Sequence, residues 1–414
     1  MIERSPRADA ARVIVVGAGP AGASLALLLA RRGIDTVLIE RHADLEREFR
    51  GEGVQPSGLV CLEQMGLCDD VAALPQTRLR RTVFGFRRGR DGPLRIVEVP
   101  ALEDGGPGIR LIAQPALLRM LCARAAEHPS FHLRMGVGVR GLLRDDGGRV
   151  RGVRLDGGEE LRAALVIATD GRHSIVRKRL GIEIDQVEQS FDVVWARARL
   201  EGPLVVPDQA YVEYLPEGGF ASVFPAPAGG HQIGVIIRKG VFSDLRRSGD
   251  LPELRWLHGR VSKGMWEMLE RAREQLHDPV LLDVICGQAP TWSAPGVLLL
   301  GDAAHPMSPV GGQGINMALR DAVIAANHLV PVLLEPGCSP AELDAVLGAI
   351  EAERRPEITA IQALQTRRAR GLRARGWLML RLMSAILRVR PLLRLLLRQR
   401  APFGRGQVQV RLRV

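Results

Sequence analysis

The stretch RVIVVGAGPAGASLALLLARRGIDTVLIE, from Arg12 to Glu40, limits the possible folds of this chain more than any other segment. It runs in order through a hydrophobic strand at Val13 to Val16, a G-x-G-x-x-G at Gly17, Gly19 and Gly22, a helix to about Arg32, a turn at Gly33 and a second strand ending on Glu40. This is the order of a dinucleotide-binding βαβ unit. Gly17 permits the tight turn, Gly19 lets the backbone approach a pyrophosphate, and Gly22 lets the helix pack close to the strand, while the free N–H groups at the helix start face the phosphate charge. Glu40 lies about twenty residues past the glycines, where a carboxylate accepts hydrogen bonds from ribose hydroxyls and repels a 2′-phosphate. NADP is therefore disfavoured in this site. A bare strand-to-helix turn would need the glycines but not the acid.

A chain of 414 residues implies two or three domains. Its five cysteines (Cys61, Cys68, Cys122, Cys286, Cys338) form no CxxC pair, which argues against a zinc site or a disulfide framework, so no metal is expected. The N-terminus lacks the apolar core and cleavage site of a secretory signal, and a cytoplasmic protein is expected. The net charge of +11 invites a nucleic-acid reading, but its location argues otherwise. From Ile358 to Val414 there are fourteen arginines and no Asp, Glu or Lys, which leaves the rest of the chain slightly acidic. No nucleic-acid partner is expected. A second G-x-G-x-x-G, at Gly136, Gly138 and Gly141, is followed by alternating residues and a DDGG turn, so it predicts a β-hairpin and not a cofactor site.

LLLGDAAHPMSPVGGQGINMALRDA, Leu298 to Ala322, repeats the strand–loop–helix logic with different chemistry. A buried strand ends at Leu300, Asp302 follows, and a loop stripped of bulk precedes a helix near Ile315. A flavin site needs such parts: an acid for ribityl hydroxyls, small residues under a flat ring, and N–H groups around Gly312 to Asn316 aimed at the ring's pyrimidine edge. A glycine-rich loop with a capping acid would look the same. His305, followed by Pro306, reads as structural and not as an acid–base residue.

The pattern formed by Gly301, Asp302, Ala303, Ala304, His305, Pro309, Gly312, Gln313, Gly314 and Asn316 resembles the GD motif of the class A flavoprotein aromatic hydroxylases, the p-hydroxybenzoate and ubiquinone-biosynthesis hydroxylase type. Asp170, Gly171, Ser174 and Arg177 match that family's D-G-x-x-S-x-x-R, held to serve both FAD and NAD(P)H. The resemblance implies an α/β fold with a Rossmann-type FAD-binding domain (residues 1–80, 101–180 and 285–357), an antiparallel β-sheet substrate domain (81–100 and 181–284) and a C-terminal Arg-rich amphipathic helical tail (358–414). It implies FAD contacts from Gly17, Gly19, Ala21, Gly22, Glu40 and Arg41, from Arg50 and Gln114, and from Asp170, Asp302, Gly312, Gly314, Ile315 and Asn316. NADH or NADPH would be a transient donor, and one oxygen of O2 would pass through a C4a-hydroperoxyflavin to hydroxylate or epoxidise a lipophilic aromatic, quinone- or quinolone-like substrate. No side chain has to carry the oxygen, so no catalytic residue is assigned. The W-x-W-x-I-P signature of flavin halogenases is absent. A flavin-dependent reductase of prenyl chains and a non-catalytic prenyl-binding escort protein are the competing functions.

Alternation at Thr82 to Val99, Ser190 to Leu200 and Tyr211 to Arg238 predicts the sheet that roofs the flavin, with Tyr211, Tyr214, Phe220, Ser222 and Phe224 as candidate pocket residues. Period two cannot say which face they share. In the tail, apolar segments are broken by Arg381, Arg388, Arg394 and Arg398, so no uninterrupted transmembrane span of about eighteen residues exists. Two readings stand. The tail lies as basic amphipathic helices on an anionic membrane surface, placing the protein peripherally on the inner face of the cytoplasmic membrane, or it is a terminal helix packed on the FAD domain.

Overall fold

The computed structural model describes residues 11–46, 52–87, 94–100, 108–249, 252–276, 279–371, 376–389, 391–392, 404 and 406–414. Near-continuous apolar runs build a parallel sheet in the order Phe131–Met135, Thr36–Glu40, Ala11–Val16, Glu160–Ala168, Val297–Leu299, with Ser293–Ala294 antiparallel at its edge. Such strands are buried on both faces, which is why they read as runs and not as alternation. The helices Pro20–Arg31, Gln114–Ala126 and Gly314–Leu334 cover one face. On the other lie Trp292, Met317, Ile358 and Ile361, beside an antiparallel meander. That meander contains Val139–Arg144 paired with Val150–Leu155, the hairpin expected after the second glycine motif. Gly314–Leu334 is long and apolar enough to cross a membrane, yet most of it is buried as the core helix of this layer.

A second sheet of seven strands runs in the order Val280–Leu282, Phe191–Ala198, His231–Arg238, Phe220–Pro225, Gln209–Tyr214, Arg81–Arg87, Leu94–Pro100. It is antiparallel except where the hairpin built from Arg81–Arg87 and Leu94–Pro100 joins Gln209–Tyr214 in parallel, Gln209 opposite Arg81. Strands from distant chain segments meet there without a connecting turn, so no hairpin dictates their direction.

Its two faces have different neighbours. Val83, Val194, Tyr211, Ala221, Val223 and Val235 pack under Leu254, Trp256, Met265 and Leu269. The opposite face carries Phe84, Phe86, Val212, Tyr214, Phe220 and Trp195, and it meets Val310 of the glycine-rich loop and Ala369.

The long helix Pro340–Gly371 carries the chain out of the first layer. The tail helix Trp377–Arg388 then lies on the second sheet, with Leu380 buried against Phe84, Phe86, Val97, Val99 and Val212. It packs on this sheet and not on the parallel one. The chain end returns to the first layer, where Val410 is buried in its core and Gln64 bonds both ways with the backbone, its Nε2 to the Val410 carbonyl at 3.1 Å and its Oε1 to the Leu412 N–H at 2.5 Å. Arg394 and Arg398 lie outside the described residues.

Candidate functional site

Four adjacent parallel strands end in the four residues that the sequence singles out. Glu40 closes Thr36–Glu40, Gly17 follows Ala11–Val16, Asp170 follows Glu160–Ala168, and Asp302 follows Val297–Leu299. The first strand sits between partners reached by opposite crossovers, so these ends line the crevice where open α/β sheets bind ligands.

The glycines are used as spacing demands. Gly17 has φ +101°, and a Cβ there would lie 2.6 Å from the Thr169 carbonyl oxygen. A Cβ on Gly22 would lie 2.0 Å from the Gly17 carbonyl oxygen, so helix and loop touch through bare backbone. Thr169 fixes the loop from below, its hydroxyl donating to the Val16 and Gly17 carbonyls at 2.9 and 2.7 Å. Helix Pro20–Arg31 begins at Gly19 with no side-chain cap, which leaves its first N–H groups for an anion. Glu40 is buried, and its carboxylate accepts from the Ala18 and His42 N–H groups at 2.9 and 3.2 Å. Ala21 is buried under Gly301, whereas Arg41 is exposed and donates to His42. Arg50 lies outside the described residues.

Asp170 spends one oxygen on the Ile175 and Val176 N–H groups and keeps its other oxygen, Oδ1, buried without a partner. Burial holds its carboxyl above the usual range, opposed by the Ser174, Val176 and Ile175 hydrogen bonds. Ser174 caps the next short helix and Arg177 bonds the Ala303 carbonyl at 2.8 Å, so this motif is stitched directly to the GD loop. Asp302 is half-buried and accepts no hydrogen bond from any described residue. At Gly312 and Gly314 a Cβ would meet nothing within 4 Å, so open space stands before the uncapped start of helix Gly314–Leu334. Ile315 is buried beneath it. Asn316 is buried too, its amide bonded to the Gln55 N–H at 2.8 Å and to the Gly312 carbonyl at 2.8 Å, so only its backbone faces the loop chemistry. Gln114 begins its helix, buried, with no bonded partner among the described residues.

His305 is structural, as expected. Its Nε2 lies 2.7 Å from Asp321, which also takes the Gly301 N–H at 3.1 Å and Arg354 Nε at 2.8 Å. Burial alone would raise the Asp321 carboxyl, but the charges and hydrogen bonds of His305 and Arg354 hold it below its usual range.

On the second sheet the candidates divide. Tyr214, Phe220, Ser222 and Phe224 share the face toward the glycine-rich loop, with the Tyr214 ring 5.1 Å from Phe86 and 6.2 Å from Phe220. Ser222 uses its hydroxyl on the Gly234 carbonyl at 2.8 Å. Tyr211 must be corrected. Three residues from Tyr214, it points to the opposite face, where its hydroxyl donates to buried Glu213 at 3.0 Å, and it lines no pocket beside the loop.

Sequence reasoning missed Trp195 and, more consequentially, Glu52. The Trp195 ring lies 6.5 Å from Phe224. Glu52 is buried where the two layers meet, accepting from Arg197 Nη2 at 3.2 Å and from the Gln232 amide. Burial pushes its carboxyl up to about 7, with Arg197 and Gln232 opposing. A carboxylate set between two glycines in FRGEGVQP was the available signal, but partners 145 and 180 residues away were not. Because the folded pKa exceeds the ordinary 4.5, stability from this group is full below pH 4.5 and falls as pH rises toward 7. Melting temperatures of Glu52→Gln should lose that decline; an unchanged slope between these pH values would show that Glu52 is not the group responsible.

The family described as an FAD binding domain matches residues 10–362, and the chain belongs to it. The chain is 36% identical to 6-methylpretetramide 4-monooxygenase of Streptomyces rimosus over 384 residues, 87% of this chain and 85% of that protein. It is 30% identical to digeranylgeranylglycerophospholipid reductase 1 of Methanopyrus kandleri, over 79% of this chain and 82% of that one. Crystalline p-nitrophenol 4-monooxygenase of Pseudomonas putida shares the fold with a TM-score of 0.77 at 21% identity, covering 96% and 99% of the two chains. The chain is an FAD-dependent flavoprotein monooxygenase of the aromatic hydroxylase class.

Proposed function

We propose that this enzyme consumes NADH or NADPH and O2 to place one oxygen on a lipophilic aromatic, quinone- or quinolone-like substrate, by hydroxylation or epoxidation. FAD, when bound, would supply the redox chemistry and the activation of O2. The chain's own residues bind, orient and exclude water. The observation that carries the reading is the row of Glu40, Gly17, Asp170 and Asp302 along one crevice, faced by an aromatic sheet surface. Glu40 and the first helix start would hold the ribose and pyrophosphate, Asp302 the ribityl hydroxyls, and the N–H groups at the start of helix Gly314–Leu334, up to Asn316, the ring edge, the Gly312 N–H being spent on the Pro309 carbonyl. Asp170 Oδ1 and Gln114 have acceptor and amide capacity to spare for the same group. In this reading residues 1–80, 101–180 and 285–357 form the FAD-binding domain, 81–100 and 181–284 the substrate domain, and 358–414 the tail. The enzyme works in the cytoplasm, with the Arg-rich tail holding it at the inner face of the membrane.

Asp302→Ala should raise the FAD dissociation constant by about ten- to a hundredfold, from loss of a charged hydrogen bond of about 1.5–3 kcal/mol. Retention of full flavin by that variant would remove Asp302 from the site. For the reaction, product formed under ¹⁸O2 with NAD(P)H and a panel of phenols, quinones and quinolones should carry one ¹⁸O. Substrate reduced without ¹⁸O would instead favour the prenyl-chain reductase reading, and purification without any flavin would favour the escort.

A further inference from the structure

We propose that the outer face of helix Trp377–Arg388 is a docking surface for an anionic lipid bilayer, placed so that the wall of the substrate sheet sits at the membrane. The proposal rests on the peripheral-membrane reading above and specifies the surface that makes contact. The helix is apolar on two sides. Its inner side, Leu380, Met383 and Leu387, is used up against Phe84, Phe86, Val97, Val99 and Val212. Leu378, Leu382, Ala385 and Val389 recur at i, i+4, i+7 and i+11 and form a second stripe directed away from the sheet. Leu378 is 81% exposed, Leu382 54%, Val389 46% and neighbouring Met379 43%. Among the described residues, Val60, Ile96, Val187, Leu334 and Val408 are exposed singly, whereas Leu378, Met379 and Leu382 lie on one helix, with Val389 at its C-cap and Leu392 just beyond.

Charge complementarity chooses the occupant. Arg381 and Arg388, seven apart, are exposed along the flank of the stripe. The chain from Ile358 onward holds fourteen arginines and no acid, so its net charge draws it to anionic headgroups. An apolar stripe edged by cations matches a helix that lies in the interface plane with its apolar side among the acyl chains. Because the inner side of the same helix covers rings of the face that meets the glycine-rich loop, a bilayer-dissolved aromatic would arrive next to that face without crossing water.

Full-length holoprotein should co-sediment with phosphatidylglycerol-containing vesicles, ignore pure phosphatidylcholine vesicles, and be released by salt. Arg381→Gln with Arg388→Gln should weaken binding roughly 30-fold, since each basic residue near the surface contributes about a factor of five. Leu378→Ser with Leu382→Ser should weaken it at least roughly tenfold at unchanged charge. All four positions are exposed, so FAD content and melting temperature should stay at wild type and verify the fold. The proposal is overturned if full-length protein ignores phosphatidylglycerol vesicles, if the leucine pair leaves binding unchanged, so that adsorption is electrostatic only, or if that pair instead dissolves a dimer seen by sedimentation. FAD affinity and ¹⁸O incorporation into a water-soluble phenol read the monooxygenase assignment separately.

Discussion

Asp321→Ala is expected to destabilise the folded protein by about 3–5 kcal/mol and to release FAD, the largest effect of any single substitution outside the crevice. Asp321 is fully buried, and its carboxylate is shared between His305, Arg354 and the Gly301 N–H. Removing it leaves buried Arg354 Nε and His305 Nε2 without their acceptor and frees the GD loop at its first residue. Arg354 and Arg320 both also bind Glu357, so the network joins that loop to the long helix Pro340–Gly371. Asp321→Asn keeps the shape but turns one of the two accepting oxygens into an amide donor that faces another donor, so it should cost less than alanine only by the bonds its remaining oxygen keeps. Urea denaturation with flavin fluorescence reads both quantities; a loss under about 1 kcal/mol for the alanine variant would show that the network contributes little.

Deleting residues 406–414 is expected to cost about 3–6 kcal/mol, from removing Val410 from the core it covers and leaving Glu357 without its backbone donors. Glu357 Oε1 accepts from the Gln407 N–H at 2.9 Å, and Arg320 Nη2 gives a hydrogen bond to the Val408 carbonyl at 2.5 Å. The deletion keeps helix Trp377–Arg388 in the chain, so differential scanning calorimetry of this variant beside one ending at Gly371 separates the two contributions. If only the shorter chain is destabilised, the tail helix and not the chain end secures the fold.

How much of this was legible in the sequence depended on the distance over which each interaction acts. Gly17, Gly22, Glu40, Asp170 and Asp302 could be placed because a strand end, a tight turn and a helix start are local, and their residue requirements are strict. The alternation in Gln209–Tyr214 predicted a strand but not its orientation, and Tyr211 fell on the wrong side because facing is decided by the layer of Leu254, Trp256 and Met265. Glu52 was invisible for the same reason: only the assembled layers bring Arg197 and Gln232 to it. The sequence leaves the tail two alternatives, yet Trp377–Arg388 has an inner apolar side packed on the sheet and an outer one left exposed, which a count of Leu and Arg does not divide.

Since the strand at Ala11–Val16 pairs with Glu160–Ala168, and helix Pro20–Arg31 shares one core with Gly314–Leu334, the nucleotide crevice cannot be completed until segments far along the chain have been made. A ribosome that has delivered the glycine motif must still deliver helix Gly314–Leu334 before the apolar side of that first helix is covered. Such long sequence separations slow folding and prolong exposure of sticky surface. Cofactor capture is therefore a late event in folding, and expression at lower temperature or with chaperones should raise the flavin-loaded yield more than added riboflavin does.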